Sequence, residues 1–210
     1  MNGRERLVAA ARGGALDRTP VLCGPGAVCA DADGVVVAVA EVVTSLQRDA
    51  ERAVLARVLS PLGRALRTGE RIVAMLHENI VAGGERLREL VGEARAEMVA
   101  ALDAGADGVF YELDGAYPAM TTPMEYGGHF LEADRQLLDE VKGARFNVLY
   151  VCGEQEPYID FVSDLPAHAF AWDERSGVGA EYVRTVRTGA LACDGGEIAL
   201  QMDAHSGVGA

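Results

Sequence analysis

The chain has 210 residues, half of them hydrophobic, with a formal net charge of -13 and a pI near 4.7. That composition is globular, and the length suffices for a single good-sized core, so one domain over residues 1–210 is expected. The acidic balance argues against nucleic acid and against an anionic membrane as partners.

The N-terminus (Met1 to Arg12) lacks the apolar run of a signal peptide. The most apolar stretch, Gly34 to Val43, is about half a membrane span. A cytoplasmic protein is expected. Its four cysteines, Cys23, Cys29, Cys152 and Cys193, are expected as reduced thiols, because a disulfide framework is unusual in a chain of this length without a signal peptide.

Residues 3–13 read as a short amphipathic helix stopped by Gly13 and Gly14. Asp17-Arg18-Thr19-Pro20 turns the chain into a first strand, Val21-Leu22-Cys23, with Pro20 where no ladder donor is needed. Residues 24–34 are a loop. Gly24-Pro25-Gly26 is a turn and not a phosphate loop, since no Gly-Lys-Ser/Thr follows. Val35 to Val43 is ambiguous between strand and helix, with helix expected from about Ala38.

Ala53 to Leu59 is a strand broken at Ser60-Pro61, followed by helical pieces over 63–69 and 70–78. Residues 85–104 carry Leu87, Leu90, Val91, Ala94, Met98, Ala101 and Leu102 at the spacing of one buried helix face. Ala106 to Tyr111 is a strand, with Glu112 and Asp114 expected just past its end. Thr122-Pro123-Met124-Glu125 is a capping box opening a helix to about Lys142, interrupted at Gly127-Gly128. Phe146 to Val151 and His168 to Trp172 are strands, Gly179 to Thr188 a helix, and Ala190 to Cys193 a last strand.

Strand and helix alternate with short links, and polar residues recur at strand ends. The pattern is α/β, a (β/α) TIM-barrel-like parallel sheet. Only about five or six β/α units are recognisable, so an incomplete barrel, or one closed by a partner, is expected.

Arg4-Glu5-Arg6-Leu7 with Asp17-Arg18-Thr19-Pro20, then Ser60-Pro61-Leu62, Ala104 to Gly108, Phe146 to Gly153 and Ala171-Trp172-Asp173 follow in an order and spacing that resembles the uroporphyrinogen decarboxylase family. The resemblance covers most of residues 3–195. It implies a barrel with its site at the strand C-terminal ends, and one of two chemistries. The first is decarboxylation of a carboxylated tetrapyrrole in porphyrin and haem synthesis, a lyase reaction with no cofactor. That branch carries an arginine-rich segment after the first strand, and residues 21–34 contain no arginine. The second is methyl transfer with zinc-activated thiol chemistry and a corrinoid partner protein. In that branch zinc is held by His-x-Cys and a later Cys. Here the pair reads Tyr150-Val151-Cys152, with Cys193 near the place of the later cysteine. A phenol is a poor replacement for imidazole. A shortened, non-catalytic paralogue is the third reading.

Candidate catalytic residues are Glu112, Asp114, Tyr150 and Cys152, since strand ends are where barrel chemistry gathers. Candidate substrate contacts are Arg57, Glu154 and Asp173. Asp173 reads equally as a helix cap, and Arg57 as half of a charge pair. Cys152 and Cys193 are metal ligands only under the methyltransferase reading, where Glu112, Glu154 or Asp194 could supply a third ligand. His77, His129 and His168 read as structural. The expected partner is a small molecule, tetrapyrrole or methyl donor. Homodimerisation is expected if a sheet edge needs cover.

Overall fold

The computed structural model describes residues 1–153, 155–194 and 197–201, with the backbone alone at 193, 194 and 197. Numbered along the chain, the strands are β1 (Val21–Cys23), β2 (Gly34–Val37), β3 (Ala53–Leu59), β4 (Gly108–Leu113), β5 (Val148–Val151), β6 (Ala169–Asp173), β7 (Ala190–Asp194) and β8 (Glu197–Ala199). The helices are α1 (Gly3–Ala11), α2 (Val42–Arg48), α3 (Pro61–Thr68), α4 (Ile72–Glu78), α5 (Ile80–Asp103), α6 (Pro123–Glu125), α7 (Leu131–Glu140), α8 (Ile159–Val162) and α9 (Ala180–Val186).

The strands form one sheet in the order β7-β6-β5-β4-β3-β2-β1-β8. β1 to β7 pair in parallel, each with its sequence neighbour. β8 runs antiparallel to β1, and a bridge between Leu191 and Gln201 brings the last described residue to β7. The result is a nearly closed, TIM-barrel-like sheet with helices outside. β8 closes it in place of a further β/α unit.

Period-two alternation gives each strand an inner and an outer face. Inside lie Leu22, Leu55, Phe110, Val148, Ala169 and Ala190, in one apolar cluster. The alanines of β6 and β7 leave room for the bulky side chains of β3 and β4. Outside, Tyr111, Leu149, Phe170 and Trp172 pack under the helices. The expected face of α5 is there: Leu90, Ala94, Met98 and Ala101 are buried. The helix starts at Ile80, earlier than its periodicity suggested, because the Asn79 side chain accepts the amides of Val81 and Ala82 at 3.2 and 3.1 Å. The Thr122 capping box forms as read, and a π turn over Tyr126–Phe130 holds Gly127 and Gly128.

The floor of the barrel, at the strand N-terminal ends, is closed by charge. Asp107 is fully buried and accepts from Arg4, from Arg145 at 2.9 Å and from the Val54 amide at 3.0 Å. Asp33 accepts from Arg6, from Arg18 at 2.7 Å and from the Val21 amide at 2.9 Å. α1 thus docks through Arg4 and Arg6 onto two buried carboxylates. Burying such ions is tolerable only because each is paired and hydrogen-bonded. Asp33 is a floor residue, far from the strand C-terminal ends. His168 accepts the Asn147 amide at 2.9 Å, and His77 pairs with Glu125 at 2.7 Å.

One expectation is corrected. Cys23 and Cys29 are disulfide-bonded, with Cα atoms 5.7 Å apart. Chain length argued for reduced thiols, but the tight Gly24-Pro25-Gly26 turn folds the loop back on the strand end. Cys152 is a free thiol. No helix among the described residues is long and apolar enough to cross a membrane.

Candidate active site at the barrel mouth

The barrel interior changes from apolar to charged on rising from floor to mouth. On β4 the inner positions are Phe110, then Glu112, then Asp114 beyond the strand. On β5 they are Val148 and Tyr150, then Cys152. On β6 they are Ala169, Ala171 and Asp173. The top of this series lines a cavity of about 450 Å³, with Arg67, Tyr117, Met120 and Arg175 completing the wall.

Glu112 does not lie past the strand, as expected, but inside it, and is 4% exposed. β4 extends to Leu113 because the carboxylate has partners. Arg57 on β3 donates from Nε to Oε2 and from Nη2 to Oε1 at 2.9 Å, and Arg67 on α3 donates to Oε1 at 2.7 Å. Arg57 is therefore a charge pair before it is anything else. The Glu112 hydrogen bond raises its pKa against the opposing effect of burial. Arg57 itself lines a different cavity, of about 570 Å³, above β2 and β3, together with Val36, Val39 and Leu59. The Arg57–Glu112 pair thus bridges residues of the two cavities.

Asp114 follows β4. Its backbone amide donates to Ser60 Oγ at 3.3 Å, and it lines the mouth cavity together with Tyr117. Burial, then Asp114, push the Tyr117 phenol up to about 12. Tyr150 is half-buried and stacks on Phe110, ring centroids 5.2 Å apart. Gly153, at φ 132, lets the chain leave β5 against the Tyr117 ring, where an added Cβ would stand 3.0 Å from a ring carbon.

Cys152 donates its thiol to the Leu113 carbonyl at 3.1 Å. Burial pushes this thiol well above its ordinary value, and Asp114 and Glu112 push further. It is a proton-bearing thiol among carboxylates and not a standing thiolate.

Asp173 is a cap, as one of its two sequence readings had it. It caps the turn Glu174–Ser176 by accepting the Arg175 amide at 2.8 Å, and it lines the mouth. The Arg175 guanidinium, 2.7 Å away, holds its carboxyl below the usual range. Glu154 lies outside the described residues. For Cys193 only the register is described: it pairs with Trp172, while Asp194 pairs with Asp173.

The fold therefore brings Arg57, Glu112, Asp114, Tyr150, Cys152 and Asp173 together at one mouth. Sequence reasoning missed Arg67, Tyr117 and Arg175. Arg175 lies two residues past a strand end and was within reach of the strand-end rule. Arg67 sits in the last turn of a helix, 45 residues from its partner, with no local signal.

No family model matches the sequence, and no curated protein matches it. Among solved structures, a methyltransferase from Methanosarcina mazei is similar in fold, with a TM-score of 0.71 over 89% of this chain and 80% of that one, at 13% sequence identity.

Proposed function

We propose that this chain is a group-transfer enzyme on the methyltransferase side of the uroporphyrinogen-decarboxylase-like barrels, acting on a small anionic molecule at the mouth. The observation that carries this reading is the position of Cys152, a thiol that lines the mouth cavity at the end of an inner strand. A structural neighbour that is itself a methyltransferase supports it. The side chains of Arg67 and Arg175 are 54% and 67% exposed, so both can meet an incoming anion while still paired to carboxylates. Glu112 sets their frame by fixing Arg57 and Arg67 through its two oxygens.

Zinc in this reading would need Cys152 and Cys193 and would supply the Lewis acidity that turns a thiol into a thiolate. Cys193, however, is in register with Trp172, an outer-face position, while Cys152 follows the inner position Tyr150. Glu112 and Asp173 do not fit the role of oxygen donor beside the cysteines. Both Glu112 oxygens are taken by arginines, and both Asp173 oxygens by Arg175. Tyr150 is a weak donor. No step is derived through zinc.

The test is methyl transfer from methylcobalamin to small anionic thiols, followed by the visible spectrum, with the metal content of the protein measured in parallel. Transfer that is lost in Cys152→Ser supports the reading. No transfer, with or without added zinc, removes it.

A second reading has one observation of its own. Decarboxylation needs cations for the substrate's acid groups. The first loop lacks them, but Arg67 and Arg175 bring them to the mouth from α3 and the turn after β6. Product analysis on uroporphyrinogen tests it, and no turnover at high enzyme concentration rejects it.

A further inference from the structure

The disulfide Cys23–Cys29 joins the end of β1 to its own following loop, six positions on, and links no second element. β1 is already held by β2 on one side and β8 on the other. Fixing the path of residues 24–28 is what the bond does. On the far leg, Arg52 donates to the carbonyls of Cys29 and Ala30, and Arg18 to that of Asp31 at 3.3 Å. Between the legs, Pro25 to Val28 is exposed, and the described backbone hydrogen bond there is the turn from Ala27 N–H to the Gly24 carbonyl, 3.2 Å.

This loop is a wall. Pro25 and Gly26 line the cavity of about 570 Å³ whose wall includes Arg57, the partner of Glu112 in the mouth. Cys23, Gly24 and Ala27 line a neighbouring one of about 360 Å³ beside α2.

We propose that Cys23–Cys29 is a reversible redox site whose state sets the wall of these cavities. Its reductant is a dithiol. One thiolate of the dithiol attacks a cystine sulfur and releases the other as thiolate. The second thiolate then resolves the mixed disulfide. Two electrons pass to the chain, which gains two protons as two thiols, and the dithiol leaves as a disulfide. Both cysteines are buried, at 3% and 8% exposure. Access therefore runs through opening of the exposed loop and not of the barrel. Once the bond is broken the two legs are no longer tied, Arg52 and Arg18 still hold residues 29–31, and the 24–28 segment gains conformational freedom.

The experiment uses the full chain, with dithiothreitol as reductant in native buffer, alkylation by iodoacetamide, and peptide mapping of 19–48. Hydrogen exchange is measured on both redox forms. The expected result is no alkylation at Cys23 or Cys29 before reduction and alkylation at both after it. Amide exchange over 26–28 should rise roughly tenfold on reduction, with β3 to β6 unchanged. A Cys23→Ser/Cys29→Ser double variant should match the reduced form. The proposal is overturned if the pair stays as free thiols after oxidised glutathione, or resists dithiothreitol until the barrel melts. It also fails if exchange rises across the barrel strands together with the loop, or if the double variant behaves like the oxidised chain.

Discussion

Tyr111 and Glu112 are adjacent on β4 and serve opposite faces of the sheet. Tyr111 reaches under the helices and donates to the buried carboxylate of Asp134 at 2.5 Å, while Glu112 faces inward and holds Arg57 and Arg67. One short strand therefore carries two buried acids' worth of bonding, on either side of a single backbone.

On the inner face, Glu112→Gln removes the charge but keeps the shape. Two guanidiniums then lose their shared carboxylate. Breaking a fully buried pair costs about 3–5 kcal/mol, and the side chains of Arg57 and Arg67 are 33% and 54% exposed, so a smaller loss of about 1–3 kcal/mol is expected. Urea unfolding measures it. An unchanged midpoint would mean that solvent fully replaces the carboxylate.

On the outer face, Asp134 is fully buried, and burial raises its pKa from 3.8 to about 6, although hydrogen bonds from Tyr111 and Tyr126 pull it down. The folded chain thus keeps a proton that the unfolded chain releases near 3.8. This group favours the folded state most below that value, and the contribution is lost as pH rises through about 6. The window is worth on the order of 3 kcal/mol. Asp134→Asn should flatten the difference in stability between pH 4 and pH 6.5, read by denaturant midpoints at each pH. A variant with the same pH slope as the parent would assign the slope elsewhere.

Cys152 should alkylate slowly. Its thiol is held protonated by burial, Asp114 and Glu112, so its reaction with iodoacetamide at pH 7.5 should be at least roughly tenfold slower than that of a free small thiol. Asp114→Asn should accelerate it by removing the larger of the two charge effects. A fast reaction in the parent chain would contradict the protonated-thiol description.

Gly108 opens β4 where its backbone meets the carbonyl of Phe146, so a Cβ there collides with main chain. Gly108→Ala should cost more than about 3 kcal/mol or prevent folding, because backbone has no rotamer by which to yield. Gly92, on the exposed side of α5, has open space around it, and Gly92→Ala should stabilise by about 0.5–1 kcal/mol. Thermal melts of the pair provide the contrast.

Much of the scaffold was legible because local rules acted alone. The Thr122 capping box, the buried face of α5 and the strands from β3 to β7 are written in short-range patterns. The family-like segments turn out to have two separate physical roles. Arg4, Arg6 and Asp107 close the floor, whereas Tyr150, Cys152 and Asp173 line the mouth. What was not legible depends on distant partners. Glu112 looked like a loop residue because a carboxylate is costly inside a strand, and only Arg57, 55 positions away, makes it tenable. β8 is three residues long and antiparallel, too short for periodicity to mark. The disulfide depends on a turn geometry that cysteine counting ignores.

That closing strand also has a kinetic meaning. Leu22 pairs with Ile198, so a segment near the end of the described residues completes the pairing of the first strand. Joining segments so far apart in sequence carries a large loop-closure entropy, which makes this seam a slow and late step. Until β8 is made, a growing chain shows the bare edge of β1, a template for pairing with another molecule. The barrel's last described strand thus decides how long a nascent chain stays exposed to aggregation.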